Sequence, residues 1–207
     1  MMKHALLGLI FTAFSLGTHA MATEQPSYTA SQQSGAIEVR QYPALIAAEV
    51  AVVGSRDDAV QAGFRALAGY IFGGNMGSKS IAMTAPVMQA PTKGESIAMT
   101  APVMQSGAGS EWTVRFIMPK AYNMQTLPKP KNPQVKLVPL DPARLAVVRF
   151  SGMAKEPDIQ RQTKLLQDYM AARSLKATGP ATLARYDPPW TLPMMRRNEI
   201  MIPIANP

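Results

Sequence analysis

The sequence predicts an α+β fold in which one plan, strand-strand-helix-strands, is written twice along a single domain. Segments 37–42 (IEVRQY) and 135–140 (VKLVPL) alternate apolar and polar residues. Each passes a proline, Pro43 or Pro142, into a longer apolar strand, 44–53 or 144–150, that ends at Gly54 or Gly152. The two prolines are 99 residues apart and the two glycines 98, and a helical stretch opened by an acid follows each glycine.

The first helix is expected over 57–72, with Val60, Phe64, Leu67 and Ile71 on one face and Asp57 or Asp58 at its N-terminus. Gly73 and Gly74 stop it. The ten residues SIAMTAPVMQ then occur twice without change, at 80–89 and 96–105, around a turn-like connector, APTKGE. Two apolar strands side by side are expected there. The alternation groups Ile81, Met83, Ala85 and Val87, and in the second copy Ile97, Met99, Ala101 and Val103, on a face that points inward toward the first helix. That face reads first as plain core, and otherwise as a pocket wall, since methionine fills either. A further strand follows at 111–118 after a turn at 106–110, and 122–133, rich in proline, links the halves. The second helix is expected over 157–174, carrying Ile159, Leu166 and Met170, with strands at 182–186 and 199–204. Two such halves can close into one pseudo-symmetric sheet or barrel with a helix on each side.

Residues 1–22 read as a secretory signal peptide: Lys3 and His4, an apolar run over 5–17 too short to span a bilayer, then small residues that suit cleavage after Ala22 or Ala20. Residues 23–35 are expected to be a flexible leader and 36–207 the domain. The expected address is the periplasm or the exterior. No cysteine is present, so disulfides and lipid-modified cysteines are excluded. Removing 1–22 takes Lys3 and no acid, leaving 20 basic and 13 acidic residues, a net charge of +7. For an exported chain that balance suits anionic small molecules, lipid headgroups or an acidic partner more than nucleic acid, or simply aids solubility. No later segment is apolar enough for an integral membrane protein. Both histidines, His4 and His19, leave with the signal peptide. Serine triads, Cys-His dyads and the usual zinc sites are then excluded, and no catalytic residue is expected.

Several of these segments together resemble the SOUL family of haem-binding proteins. They are Gly73-Gly74-Asn75, the IAMTAPV signature, 112–119 (WTVRFIMP), Leu127-Pro128, Phe150-Ser151-Gly152, 186–190 (YDPPW) and Arg196-Arg197-Asn198-Glu199. The resemblance runs from about 37 to 204. It implies a distorted β-barrel of two similar halves flanked by two helices. It also implies non-covalent binding of haem or a related tetrapyrrole in an apolar groove, for carriage or buffering in the cell envelope. The ligand-binding candidates are Phe64, Arg65, Leu67, Ala68 and Ile71 on the first helix, Met83 and Met99 in the repeats, and Arg196 and Arg197. The arginine pair suits a ligand carboxylate or local salt bridges at a strand end. With no histidine left, Met83 and Met99 are the candidates for a haem-iron ligand. Two other readings stay open: a binding module for another amphipathic anion, and a scaffold or interaction protein without a ligand.

Overall fold

The computed structural model describes residues 23–77 and 94–206. The first SIAMTAPVMQ copy with Met83, and the signal peptide, lie outside the described residues. In chain order the described elements are β1 (Thr29–Ser34), β2 (Ile37–Tyr42), β3 (Leu45–Val53), α1 (Arg56–Ile71), β4 (Asn75–Met76), β5 (Val103–Ala108) and β6 (Glu111–Ile117). Then come β7 (Lys129–Pro130), β8 (Lys136–Leu140), β9 (Ala143–Phe150), α2 (Glu156–Ala172), β10 (Thr182–Arg185), a 3₁₀ turn (Pro193–Met195) and β11 (Asn198–Pro203). Outside the repeated decapeptide, the expected strands and both helices stand within a residue or two of their predicted bounds.

Nine strands form one curled antiparallel sheet in the order β1-β2-β9-β11-β10-β5-β6-β3-β8, and β4 pairs with β7 apart from it. The fold is the α+β, barrel-like sheet with two helices that the sequence predicts. The first strand of each half pairs with the second strand of the other: β2 with β9, and β8 with β3. Each half therefore needs the other to complete its sheet.

Alternation along the strands buries both faces. Outward-facing Val39, Ala146, Val148, Ile200, Ile202 and Leu183 pack beneath Ile159, Leu166, Tyr169 and Met170 of α2. Ala48, Val50, Val114 and Phe116 do the same beneath Leu67, Tyr70 and Ile71 of α1. Their neighbours Val147, Ala184 and Met201 face the inside of the curl, with Met104, Leu145 and Tyr186 against them.

Three expectations are corrected. The stretch expected as a loose leader includes β1, an edge strand paired to β2 through a turn at Gly35, where φ is 59°. All six β1 side chains are exposed, so no apolar alternation announced it. The second SIAMTAPVMQ copy becomes a strand only from Val103. Before that its backbone is held by other partners. The Ile97 N–H donates to Ile71 O, the Ala101 N–H to Glu24 O, and Pro102 has no N–H to give. Ile97 and Ala101 are buried as expected, but Met99 is 36% exposed.

The third correction is the rotation of α1. Its buried residues are Ala59, Gly63, Leu67, Tyr70 and Ile71, which leaves Val60 half-buried and Phe64 39% exposed. Gly63 sets that rotation. A Cβ there would lie 2.5 Å from Val114 Cγ2, so the helix approaches β6 on its smallest side. Gly63→Ala should lower stability by about 1–2 kcal/mol, overpacking outweighing the roughly 1 kcal/mol that alanine gains over glycine in a helix. Urea denaturation measures this, and Val114→Ala in the same chain should restore part of the loss. A double-mutant cycle without coupling would contradict the packing argument.

Candidate functional site

The inner face of the sheet carries a buried charge network. Arg40, 2% exposed, donates to both carboxylate oxygens of Glu199, at 2.8 and 3.0 Å, and to Tyr42 Oη at 3.2 Å and Glu38 Oε2 at 2.6 Å. Tyr186 Oη donates to Glu199 Oε2 at 2.7 Å, and Arg197 donates to Oε1 from Nε at 3.0 Å and Nη2 at 2.7 Å. Arg40 also lies over the Tyr28 ring and Arg197 over the Tyr186 ring, at 4.2 and 3.9 Å from the ring centres.

Every lone pair of Glu199 is engaged, and no buried side-chain polar atom lacks a partner among the described residues. Burial alone would raise the Glu199 carboxyl. Hydrogen bonds from Arg40 and Tyr186, the Arg40 charge and the Arg197 bond overcome that and hold it below its ordinary 4.5. Burial, then the charge and hydrogen bond of Glu199, push Tyr186 well above its ordinary 10.0.

Beside this network is a hollow of about 90 Å³, lined by Tyr28, Tyr42, Met104, Leu145, Tyr186 and Met201 among others. Pockets for drug-sized ligands run from roughly 300 to 1,000 Å³, so this hollow is too small for a macrocycle. A larger one, about 300 Å³, lies between α2 and the sheet. Its wall is mixed, with Gln160, Thr163 and Gln167 beside Ile159, Leu183 and Ile200, and its cations are paired: Arg56 with Glu156 at 2.8 Å and Lys164 with Asp168 at 2.9 Å.

The outward side of α1 is different. Phe64, Ala68 and Phe72 recur at four-residue spacing along it, and Phe72, the C-cap, is 64% exposed. The two phenylalanines stand roughly 12 Å apart along the helix axis. Between them are only Ala68 and Gly69, and a Cβ at Gly69 would meet nothing within 4 Å. Phe64 is anchored edge-on to Phe116, with ring centres 5.4 Å apart at 64°. Arg65 is exposed beside it and forms no ion pair among the described residues. The result is a shallow apolar shelf with a cation at its margin.

The Gly73-Gly74-Asn75 motif fixes the end of that shelf. The Gly74 N–H donates to Gly69 O, and Gly73 takes a φ of 105°. Asn75, fully buried, donates to Tyr70 O and Glu95 O, at 2.9 and 2.8 Å, and accepts the Glu95 N–H at 2.9 Å. The Tyr70 hydroxyl donates to Pro128 O at 2.9 Å, and burial pushes its pKa up to about 12, with Tyr122 and Glu95 adding to the shift. A Cβ at Gly94 would sit 1.8 Å from Gly73 O, so two glycines let the chain pass the helix end at backbone contact.

Of the predicted residues, the structure therefore groups Phe64, Arg65 and Ala68 on the shelf. Leu67 and Ile71, 0% and 1% exposed, support it from the core and do not line it. Met99 belongs to the extended segment that leaves the foot of α1, where Ser96 bridges Phe72. Arg196 and Arg197 stand at the start of β11 and are committed elsewhere: Arg197 to Glu199, Arg196 to the carbonyls of Thr191 and Pro189. The bonds they make in this structure are local. Phe72 was missed as a site residue because it fell at the predicted helix boundary. Its four-residue step from Ala68 was the available signal.

Residues 23–203 match the SOUL heme-binding protein family. The chain belongs to that family. No curated protein matches it in sequence. Among solved structures it is similar to the EcmrR C-terminal domain, with 10% identity over 87% of this chain and 99% of that one, TM-score 0.55. It is also similar to a hydrolase from Listeria innocua, with 15% identity, 84% and 94% coverage and TM-score 0.53. An uncharacterized conserved protein from Listeria innocua gives 14%, 82% and 92%, with TM-score 0.52. At these identities the likeness is one of fold, and no activity passes with it. Among the described residues no helix is long and apolar enough to cross a membrane.

The network makes a pH prediction. The folded pKa of Glu199 is depressed, so its contribution is full above about pH 4.5 and is lost as pH falls below that value. Those of Tyr42, Tyr70 and Tyr186 are raised, so theirs are full below about pH 10 and are lost as pH rises above it. Stability should be flat between these limits. Glu199→Gln should cost about 3–5 kcal/mol at neutral pH, because it strands buried arginine charge, and should flatten the acid limb. Denaturation from pH 2 to 11 measures both, and an acid limb identical in the two proteins would refute the assignment.

Proposed function

We propose that this SOUL family member binds haem or a related tetrapyrrole non-covalently on the outward shelf of α1, as an exported carrier or buffer in the cell envelope. The observation that carries the reading is the run of exposed Phe64, half-buried Ala68 and exposed Phe72, open at Gly69 and edged by Arg65, which forms no ion pair among the described residues. Apolar area left in water at this spacing favours a flat apolar ligand, at about 25 cal/mol per Å² covered. Family membership supports the ligand class, and the signal-peptide reading of residues 1–22 supports the address.

The shelf fits the macrocycle by shape and the propionates by charge. Arg65 is exposed, so its pairing adds little against water and salt. No side chain of the shelf is an iron ligand. Enclosure of the ring is then the dominant contribution, and the metal a minor one. Iron bound in the macrocycle would supply the haem's own redox chemistry, while this chain's residues hold and orient the ring.

A titration with hemin, followed at the Soret band, should saturate near one per chain, and iron-free protoporphyrin should bind within about threefold of it. Gly69→Glu places a carboxylate in the middle of the shelf without harming the helix, and should weaken both pigments by about tenfold or more. Leu165→Glu, on exposed α2, should change neither. Hemin binding unaffected by Gly69→Glu would remove the shelf from the reading. Saturation by hemin alone would point to an axial ligand such as Met99. Stronger binding of a non-planar amphipathic anion than of either pigment would reassign the ligand, and no saturable binding would leave the scaffold reading.

A further inference from the structure

We propose that the loop joining β10 to β11 docks the protein on an anionic lipid surface. Residues 188–195, PPWTLPMM, hold large apolar side chains in water: Trp190 is 82% exposed, Leu192 59%, Met194 72% and Met195 69%. Met153, 48% exposed, joins them from the connection between β9 and α2. Single exposed apolar residues need no explanation, but five gathered at one end of a molecule do.

Part of the loop's polar backbone, mostly its carbonyls, is satisfied from within. Arg196 Nε donates to Thr191 O at 2.7 Å, Nη2 to Pro189 O, and Nη1 contacts Met153 Sδ at 3.2 Å. The Thr191 N–H donates to Pro188 O, Met195 to Leu192 O, Arg196 to Pro193 O and Gly152 to Pro193 O, at 2.9 to 3.1 Å. Pro188, Pro189 and Pro193 have no N–H to satisfy. Of the five N–H groups in 188–195, those of Thr191 and Met195 have partners among the described residues, so the tip suits the headgroup boundary, where water and headgroups take the rest, and not the hydrocarbon interior. The same bonds keep the side chains from collapsing onto the body of the protein.

Charge selects the occupant. Every partner of Arg196 in this loop is a carbonyl or a thioether, so its charge is not neutralised. Arg149 and Lys155, both exposed, flank Met153 and form no ion pair among the described residues. Of the neighbouring acids, Glu156 pairs with Arg56 and Glu199 is buried in its network, while Asp187 accepts the backbone N–H of Arg197 and keeps its charge, so Arg149, Lys155 and Arg196 leave the collar net cationic. An apolar tip with a cationic collar complements a layer of anionic headgroups over hydrocarbon, with tryptophan at the boundary between them. The same collar repels a second copy of this basic chain.

The test is co-sedimentation of the processed protein with phosphatidylcholine vesicles, with and without phosphatidylglycerol. Absence of residues 1–22 is first checked by mass. Binding should require phosphatidylglycerol, weaken at 0.5 M salt, and fall by about tenfold in Trp190→Ser and in the double change Met194→Ser, Met195→Ser. Arg149→Glu with Lys155→Glu should reduce it while leaving the tip intact. The chain has two tryptophans, and Trp112 is buried, so in Trp112→Phe the emission of Trp190 alone should shift blue on binding and be quenched by brominated lipid. No uptake by either vesicle, or uptake unchanged in Trp190→Ser, would overturn the proposal. So would a dimer lost in Trp190→Ser without vesicle binding, which would assign the tip to self-association.

Discussion

The arrangement depends on one buried carboxylate. Glu199 sits on β11 near the middle of the sheet order and accepts hydrogen bonds from Arg40 on β2, Tyr186 after β10 and Arg197 beside it. Because β9 separates β2 from β11, the Arg40 to Glu199 pair spans a strand and holds three sheet positions in register. Desolvating this many charges is unfavourable by itself, and complete hydrogen bonding makes it tolerable. The network thereby turns the inside of the curl into a rigid, filled space. What remains there is a hollow of about 90 Å³, too small for a large ligand.

On that surface the backbone contacts of small residues decide what is presented. Gly63 lets α1 settle close to β6 and so turns Phe64 outward, while Asn75 and Gly94 pin the helix end so that Phe72 stays beside the open shelf. The residues that build the shelf are therefore mostly not on it. A glycine under the helix and an amide at its end set the geometry that Phe64, Ala68 and Phe72 display.

Much of the architecture was legible along the chain. Strand alternation, the prolines and glycines at near-equal offsets, and the acids at helix starts are local signals, and outside the repeated decapeptide the elements they predicted formed. The site was less legible. Phe64, Arg65 and Ala68 lie on the candidate shelf, but Leu67 and Ile71 were drawn onto the same surface because a spacing of three and four residues defines a stripe without saying which edge of it meets the core. β1 was missed because its six side chains are exposed and its pairing rests mainly on backbone groups, so TASQQS carries no apolar pattern to announce it. The arginine pair was readable as charge but not as partner.

The sequence by itself determined the class of fold, the order of its elements, the family, and the absence of histidine and cysteine from residues 23–207. Those properties follow from composition and from periodicities that each segment carries alone. Only the tertiary structure decided the rotation of α1, the commitment of Arg196 and Arg197, the extended path of the second repeat and the exposure of Trp190. Each of these depends on a contact between residues remote in sequence: Gly63 with Val114, Glu199 with Arg40, Ala101 with Glu24, Gly152 with Pro193. Side-chain direction and hydrogen-bond choice are settled by whichever neighbour folding brings near, and a linear pattern does not contain that neighbour.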